Sequence, residues 1–171
     1  MKDFYFYVLI AALLFGIGSC EKSDSEIVDP APYTVENENY TFHKNTGVYL
    51  NAQKNRSESY SHSFEIESVK RTGNIMQVNV VFPAGCTNNQ FEIIWDGKIM
   101  ESHPVQTRVF VKRMAEECVD SEEKERLALE LDLDELIFKK GDDQLQNAVI
   151  IVSNASKKPN MENSDIPVSS N

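Results

Sequence analysis

An all-β fold, a sandwich of about seven strands, follows from two features of the sequence. Apolar and polar residues alternate in short runs, and turn residues separate those runs at intervals of roughly ten. Only Ala115 to Arg126, rich in glutamate, has the character of a helical turn. Phosphate-binding glycine loops, heptads and internal repeats are absent from the 171 residues.

Taken in order, the segment between Tyr40 and Leu50 has room for one or two edge strands. Phe64-Glu65-Ile66-Glu67-Ser68-Val69 alternates as a half-buried strand should, and Arg71-Thr72-Gly73-Asn74 reads as a turn. Ile75-Met76-Gln77-Val78-Asn79-Val80-Val81-Phe82 completes a hairpin that Pro83-Ala84-Gly85 ends. Phe91-Glu92-Ile93-Ile94-Trp95 is a strand closed by Asp96-Gly97, and Thr107 to Met114 alternates again. Leu127, Leu129, Leu131 and Leu133 fall on every second position, which points to a strand despite leucine's helix preference. Gly141-Asp142-Asp143 is a further turn, and Ala148-Val149-Ile150-Ile151-Val152 is the last strand, apolar enough for burial on both faces.

Lys+Arg of 17 against Asp+Glu of 27 gives a net charge of −10. That excess excludes nucleic acid as a partner, since phosphate backbones are held by surplus Lys and Arg. Anionic headgroups repel it too, so attachment to a membrane has to be covalent or hydrophobic.

The N-terminus supplies such an attachment. Lys2 precedes an apolar run from Phe4 to Phe15, too short for the about 20 residues that cross a bilayer but suited to an export signal. Ile17-Gly18-Ser19-Cys20 then resembles the bacterial lipobox, a branched apolar residue and two small ones before cysteine. The resemblance implies that residues 1–19 are a lipoprotein signal peptide and that Cys20 is acylated as the first mature residue. The partner so implied is membrane lipid, held through acylated Cys20. A plain signal peptide with Cys20 incidental, or an uncleaved anchor helix, are the alternatives. Residues 20–38, with Glu21-Lys22-Ser23-Asp24-Ser25-Glu26 and two prolines, read as a flexible tether. The acidic start resembles the surface-export signals of Bacteroidota lipoproteins. It implies an outer-membrane location, facing the periplasm or the cell surface.

Lipidation of Cys20 leaves Cys86 and Cys118 as the remaining thiols. In an oxidising compartment such a pair joins. Closing a loop of this length is worth roughly 3.7 kcal/mol in chain entropy. Two separate thiols are the alternative. Structural zinc has no support, because no Cys-x-x-Cys is present and no His stands at motif spacing. Cys86, Trp95 and Cys118 invite an immunoglobulin-like reading of the sandwich. Membership of that family is not supported, because the cysteines are closer than in true immunoglobulin domains and Glu116 stands where a corner tyrosine belongs. The organisation expected is a β-sandwich domain over 39–156 with a single disulfide, followed by a disordered tail over 157–171.

Gly85-Cys86, Phe91-Glu92-Ile93-Ile94-Trp95, Glu101-Ser102-His103-Pro104-Val105-Gln106, Cys118 and Leu129-Glu130-Leu131-Asp132-Leu133 together resemble an uncharacterised small-lipoprotein domain of Bacteroidota. Such relatives often carry a histidine soon after the first cysteine, where this chain has Thr87-Asn88-Asn89-Gln90. The resemblance implies a lipid-anchored β-domain and brings no activity.

Catalytic constellations are weak. Glu92, Asp96 and Glu101 have the chemistry of a glycosidase pair, but alternation faces Glu92 to water and Asp96 starts a turn. Asp120-Ser121-Glu122-Glu123 and Asp132, Asp134 and Glu135 offer oxygens for calcium without the spacing of a calcium loop. His43, His62 and His103 are scattered and pair with no nucleophile. The aromatics Phe91, Trp95, Tyr40, Phe42, Tyr49 and Tyr60 suit a core more than a sugar platform. The expectation is therefore a non-enzymatic, lipid-anchored binding or accessory module without cofactor or metal, its protein or glycan ligand unspecified. A periplasmic inhibitor or immunity-type lipoprotein comes second, with Ala84–Gln90 and Glu116–Lys124 as presenting loops. A weak hydrolase using surface carboxylates comes third.

Overall fold

Alternation in the leucine-rich run becomes a layer through its pairing. β7 (Lys124–Asp132) lies antiparallel against β4 (Ile75–Pro83), which pairs on its other side with β3 (Glu65–Thr72). The β3–β4 hairpin turns at Gly73, whose φ of 58° suits glycine. Met76, Val78, Val80 and Phe82 of β4 and Leu129 and Leu131 of β7 all point inward and are buried. The computed structural model describes residues 31–138 and 147–170. The expected signal peptide, Cys20 and the turn at 141–143 lie outside them.

The second layer is a six-stranded sheet. It contains β1 (Tyr33–Glu36), β2 (Tyr40–Lys44), β5 (Thr87–Trp95), β6 (Gln106–Glu116), β8 (Val149–Asn154) and β9 (Asp165–Val168), in the order β1-β2-β5-β6-β8-β9. β5 and β6 form a long antiparallel hairpin, whereas β2–β5 and β6–β8 are parallel. Phe42, Phe91, Ile93, Trp95, Val109 and Val111 of this sheet meet the inner face of the three-stranded one in a common core. Phe91 sits at its centre, with Phe64 and Phe82 each 5.5 Å away between ring centroids. A short helix, α2 (Leu133–Leu136), capped by the Asp132 side chain, closes one end with Leu133 and Leu136.

The outer face of the larger sheet is covered by a helix that the sequence reading took for edge strand. Residues 40–44 are strand, but Asn45 turns the chain, its side chain accepting from the Val48 N–H at 3.1 Å to cap α1 (Thr46–Lys54). Tyr49 and Ala52, three apart on one helical face, then pack on Ile94, Phe110 and Ala155. Conversely, the glutamate-rich stretch 115–126 holds no helix. β6 runs to Glu116, Glu117 takes a φ of 43°, and Lys124 already pairs with Pro83. Pairing overrides helix propensity here.

Two boundaries also move. Residues 33–36 of the expected tether form β1, and the expected tail at 157–171 contains β9, registered on β8 from Ser153↔Asp165 to Ile150↔Val168. The tail's polarity suggested solvation, but Asp165 meets two arginines and a serine on the sheet. Nine strands in two packed sheets, among the described residues, replace the seven expected.

Candidate functional site

Cys86, just before β5, and Cys118, just after β6, form a disulfide with Cα atoms 3.9 Å apart. It clips one end of a single hairpin, beside the Thr87↔Glu116 pair, rather than joining the two sheets. Trp95 lies at the other end of β5, opposite Val109, about 26 Å away by strand rise. Its indole N–H donates to Thr107 Oγ1 at 2.8 Å, and that hydroxyl donates to the Lys98 carbonyl at 2.8 Å. Bridge and tryptophan therefore do not form the central pin of an immunoglobulin core.

The loops around the bridge are one unit. Gly85 has a φ of 93°, and a Cβ there would stand 2.8 Å from the Val119 carbonyl oxygen. The Val119 N–H donates to the Gly85 carbonyl at 2.8 Å, and Ala84 N–H donates to the Glu123 carbonyl at 2.9 Å. Asn88 adds a bond to Glu116 Oε2 at 2.8 Å. The rim they form carries Val119 at 68% exposure.

Glu92, Asp96 and Glu101 are not brought together. Glu92 lies on the outer face of β5, 3.0 Å from Lys112 Nζ and 3.8 Å from His43 Nε2. Asp96 is four strand steps away, about 13 Å, and accepts from the Lys98 N–H at 2.9 Å. Glu101 is exposed in the following loop. His43 also contacts Thr34 Oγ1 at 3.3 Å, while His62 and His103 are exposed at separate places. Asp132 and Asp134 are occupied by the α2 cap and by Asn74, 2.7 Å from Asp134. Among the described residues no three His, Cys, Asp or Glu side chains gather as a metal site.

The aromatic residues divide by strand parity. Tyr40, Phe42, Phe91 and Trp95 are inside, Tyr49 is on the sheet-facing side of α1, and Lys112 Nζ lies 4.6 Å from the Tyr60 ring centroid. Burial, reinforced by Asp96, pushes the Tyr49 phenol up to about 12.

Buried arginines are the polar feature that sequence reasoning missed. Arg113 is 2% exposed. Its guanidinium lies 4.6 Å from the Phe82 ring centroid and donates to Asn89 Oδ1 and to the Ser63 and Pro83 carbonyls. Arg71 donates to the Gly73 and Ala148 carbonyls at 2.9 and 2.6 Å. Burial lowers both pKa values, though an arginine stays charged. A signal existed, since Arg113 shares parity with Val109 and Val111 on the core side.

Two surface hollows stand out among the described residues. One, of about 150 Å³, lies at the sandwich end between Phe64, Phe82, Pro83 and Lys124. The other, of about 80 Å³, lies between the β1–β2 turn and the beginning of β5, lined by Asn37, Glu38, Asn39, Thr41, Asn89 and Gln90. No family model matches the chain, nor does any curated protein or solved structure. Fold and bridge define a class in physical terms: a two-sheet β-sandwich with a disulfide-clamped rim and one helix on its outer face.

Proposed function

We propose that the protein is a lipid-anchored, non-enzymatic binding or accessory module of the outer membrane, facing the periplasm or the cell surface. The observation that carries this is the Cys86–Cys118 bridge. A structural disulfide is characteristic of an oxidising, exported setting. It also uses both cysteines of the folded body, which leaves Cys20 of the lipobox-like Ile17-Gly18-Ser19-Cys20 for acylation. Two or more acyl chains at that position would hold the domain firmly, since each buried methylene contributes about 0.8 kcal/mol. The immunoglobulin-like description is retained for the layering alone, because the parallel pairs β2–β5 and β6–β8 depart from two purely antiparallel sheets.

Mass spectrometry of the mature chain tests the anchor: an acylated N-terminal Cys20 is expected, and the Cys20→Ser variant should release the protein from membranes. An unmodified N-terminus elsewhere overturns it. Protease treatment of intact cells separates the two faces, and crosslinking from native membranes should recover the ligand.

One observation favours the inhibitor-type alternative. The two loops named for it are bound together by the bridge and by backbone hydrogen bonds, and such a preorganised rim costs little entropy on docking. The hydrolase alternative gains nothing from Glu92, which is tied to Lys112.

A further inference from the structure

We propose that the free edge of β7 pairs with β7 of a second copy of this chain, joining two three-stranded sheets into one of six strands. This goes beyond the binding-module reading and does not depend on the anchor.

The other strand edges are defended and this one is not. An exposed edge is a template for pairing, and proteins blunt it with short strands, prolines or bulges. β1 has four residues, β9 has four with Pro167 among them, and β3 shifts register between Ile66 and Ser68. β7 has nine residues and follows β4 without a shift from Lys124 to Asp132. No described strand pairs with its other side.

Backbone geometry fixes what that side offers. The Leu133 N–H donates to the Asn74 carbonyl and the Ala84 N–H to the Glu123 carbonyl, both continuing the β4–β7 register. Antiparallel pairs alternate between bonded and unbonded, so the odd-numbered residues of β7 direct their backbone groups at β4. The N–H and C=O groups of Lys124, Arg126, Ala128, Glu130 and Asp132 therefore point to the free edge. Consistent with this, the Glu130 carbonyl accepts from the Tyr40 hydroxyl at 2.9 Å, and it keeps a second lone pair.

The side chains of the same five residues select the partner. All five are exposed, and in order they are two cations, alanine and two anions. An antiparallel copy centred on Ala128 sets Arg126 opposite Glu130 and Lys124 opposite Asp132, each twice by symmetry. Parallel pairing sets like charges together, and a slip of two residues keeps half of the attractive pairs. Opposite charges directly across a ladder stabilise it and like charges oppose it. The strand is thus complementary to itself in one register, as a two-fold interface requires. Arg126 is available for the exchange, being 68% exposed beside an equally solvated Glu67 at 3.5 Å.

The β1–β2 hairpin leans on β7 from Leu127 toward Leu136, whose carbonyl accepts from the Tyr33 hydroxyl. Rotation about Ala128 carries the second copy's hairpin to the other half of the joined strands, so the two lie beside opposite halves. The net charge of −10 on each chain is screened beyond about 8 Å at physiological ionic strength. One strand pair buries less than a standard interface, so the dissociation constant should be on the order of micromolar.

The test is sedimentation velocity of the full-length protein in detergent micelles at physiological ionic strength, with a thermal melt of every variant. A concentration-dependent dimer is expected. Arg126→Glu and Glu130→Arg should each weaken it about tenfold or more, and an equimolar mixture of the two should recover association as a heterodimer. Ala128→Pro removes an N–H that the isolated domain leaves unpaired, and should abolish the dimer while melting close to the wild type. Thr72→Ala on β3 should change neither property. A wild type that stays monomeric through the micromolar range would overturn the interface. So would a dimer that both charge reversals and Ala128→Pro leave intact, or a mixture of the reversed chains that fails to associate.

Discussion

Asp165 concentrates more interactions than any other carboxylate described. Arg56 Nη1 lies 3.1 Å from both of its oxygens, Arg108 pairs with one of them, and Ser153 Oγ donates at 2.6 Å. Burial pushes its pKa up, but the Ser153 and Arg56 hydrogen bonds and the two arginine charges outweigh it, so the carboxyl is held below its ordinary 3.8. A depressed carboxylate contributes stability that is complete above its unfolded value and disappears as pH falls through the folded one. Asp165→Asn should therefore lower stability at neutral pH by about 2–3 kcal/mol, because it takes the only carboxylate charge described from an Arg56 side chain that is 5% exposed and is otherwise held by the Asn154 and Ser164 carbonyls. Urea midpoints of variant and wild type should converge on acidification below 3.8; a gap that persisted there would remove the ionic explanation. Tyr49 gives a second residue-level expectation. Its phenol should ionise near 12 in an absorbance titration, and Tyr49→Phe should delete that late component alone.

At the scale of elements, the clamped rim and the capped helix each make a measurable contribution. Replacing both bridge cysteines by serine should cost up to roughly 3.7 kcal/mol by loop-closure entropy, with pairing of β5 and β6 keeping the fold intact. Gly85→Ala should weaken the same rim by about 1–3 kcal/mol, since the left-handed backbone and the Val119 carbonyl both oppose a Cβ. Removing the Asn45 cap with alanine should cost about 1 kcal/mol, read as a lower thermal midpoint. The hairpin of β3 and β4, and strands β5, β6 and β7, were legible because alternation is a local signal of a sheet with one wet face. Helix α1 was not, because Tyr40–Phe42 set a strand pattern and the reading carried it across Asn45. Strand β9 was hidden because Asp165 looks like a surface residue until Arg56 and Arg108 meet it in space. Buried Arg113 was masked by its charge, although its parity was correct.

For the molecule as a whole, the site was the least legible part. The bridge and its two loops follow from counting cysteines, but the smaller hollow joins residues 37–41 to 89–90 through the parallel β2–β5 pairing. Parallel neighbours are distant in sequence, so no local pattern announces them. The two long-range ties that close the larger sheet, β2 on β5 and β6 on β8, flank the antiparallel centre on opposite sides. Removing residues 157–171 deletes β9, exposes the edge of β8 and leaves Arg56 and Arg108 without Asp165. The truncated chain should show loss of near-ultraviolet ellipticity and recovery in the insoluble fraction; a soluble, cooperatively melting product would show that β9 is an accessory strand.

That late carboxylate also sets a timetable. Arg56 waits for a partner 109 positions further along the chain, and Arg108 for one 57 positions further. A chain made from its N-terminus presents both guanidinium groups before residue 165 exists, so the ion pairs that fasten β9 to β8 form only after the rest of the sheet has been made.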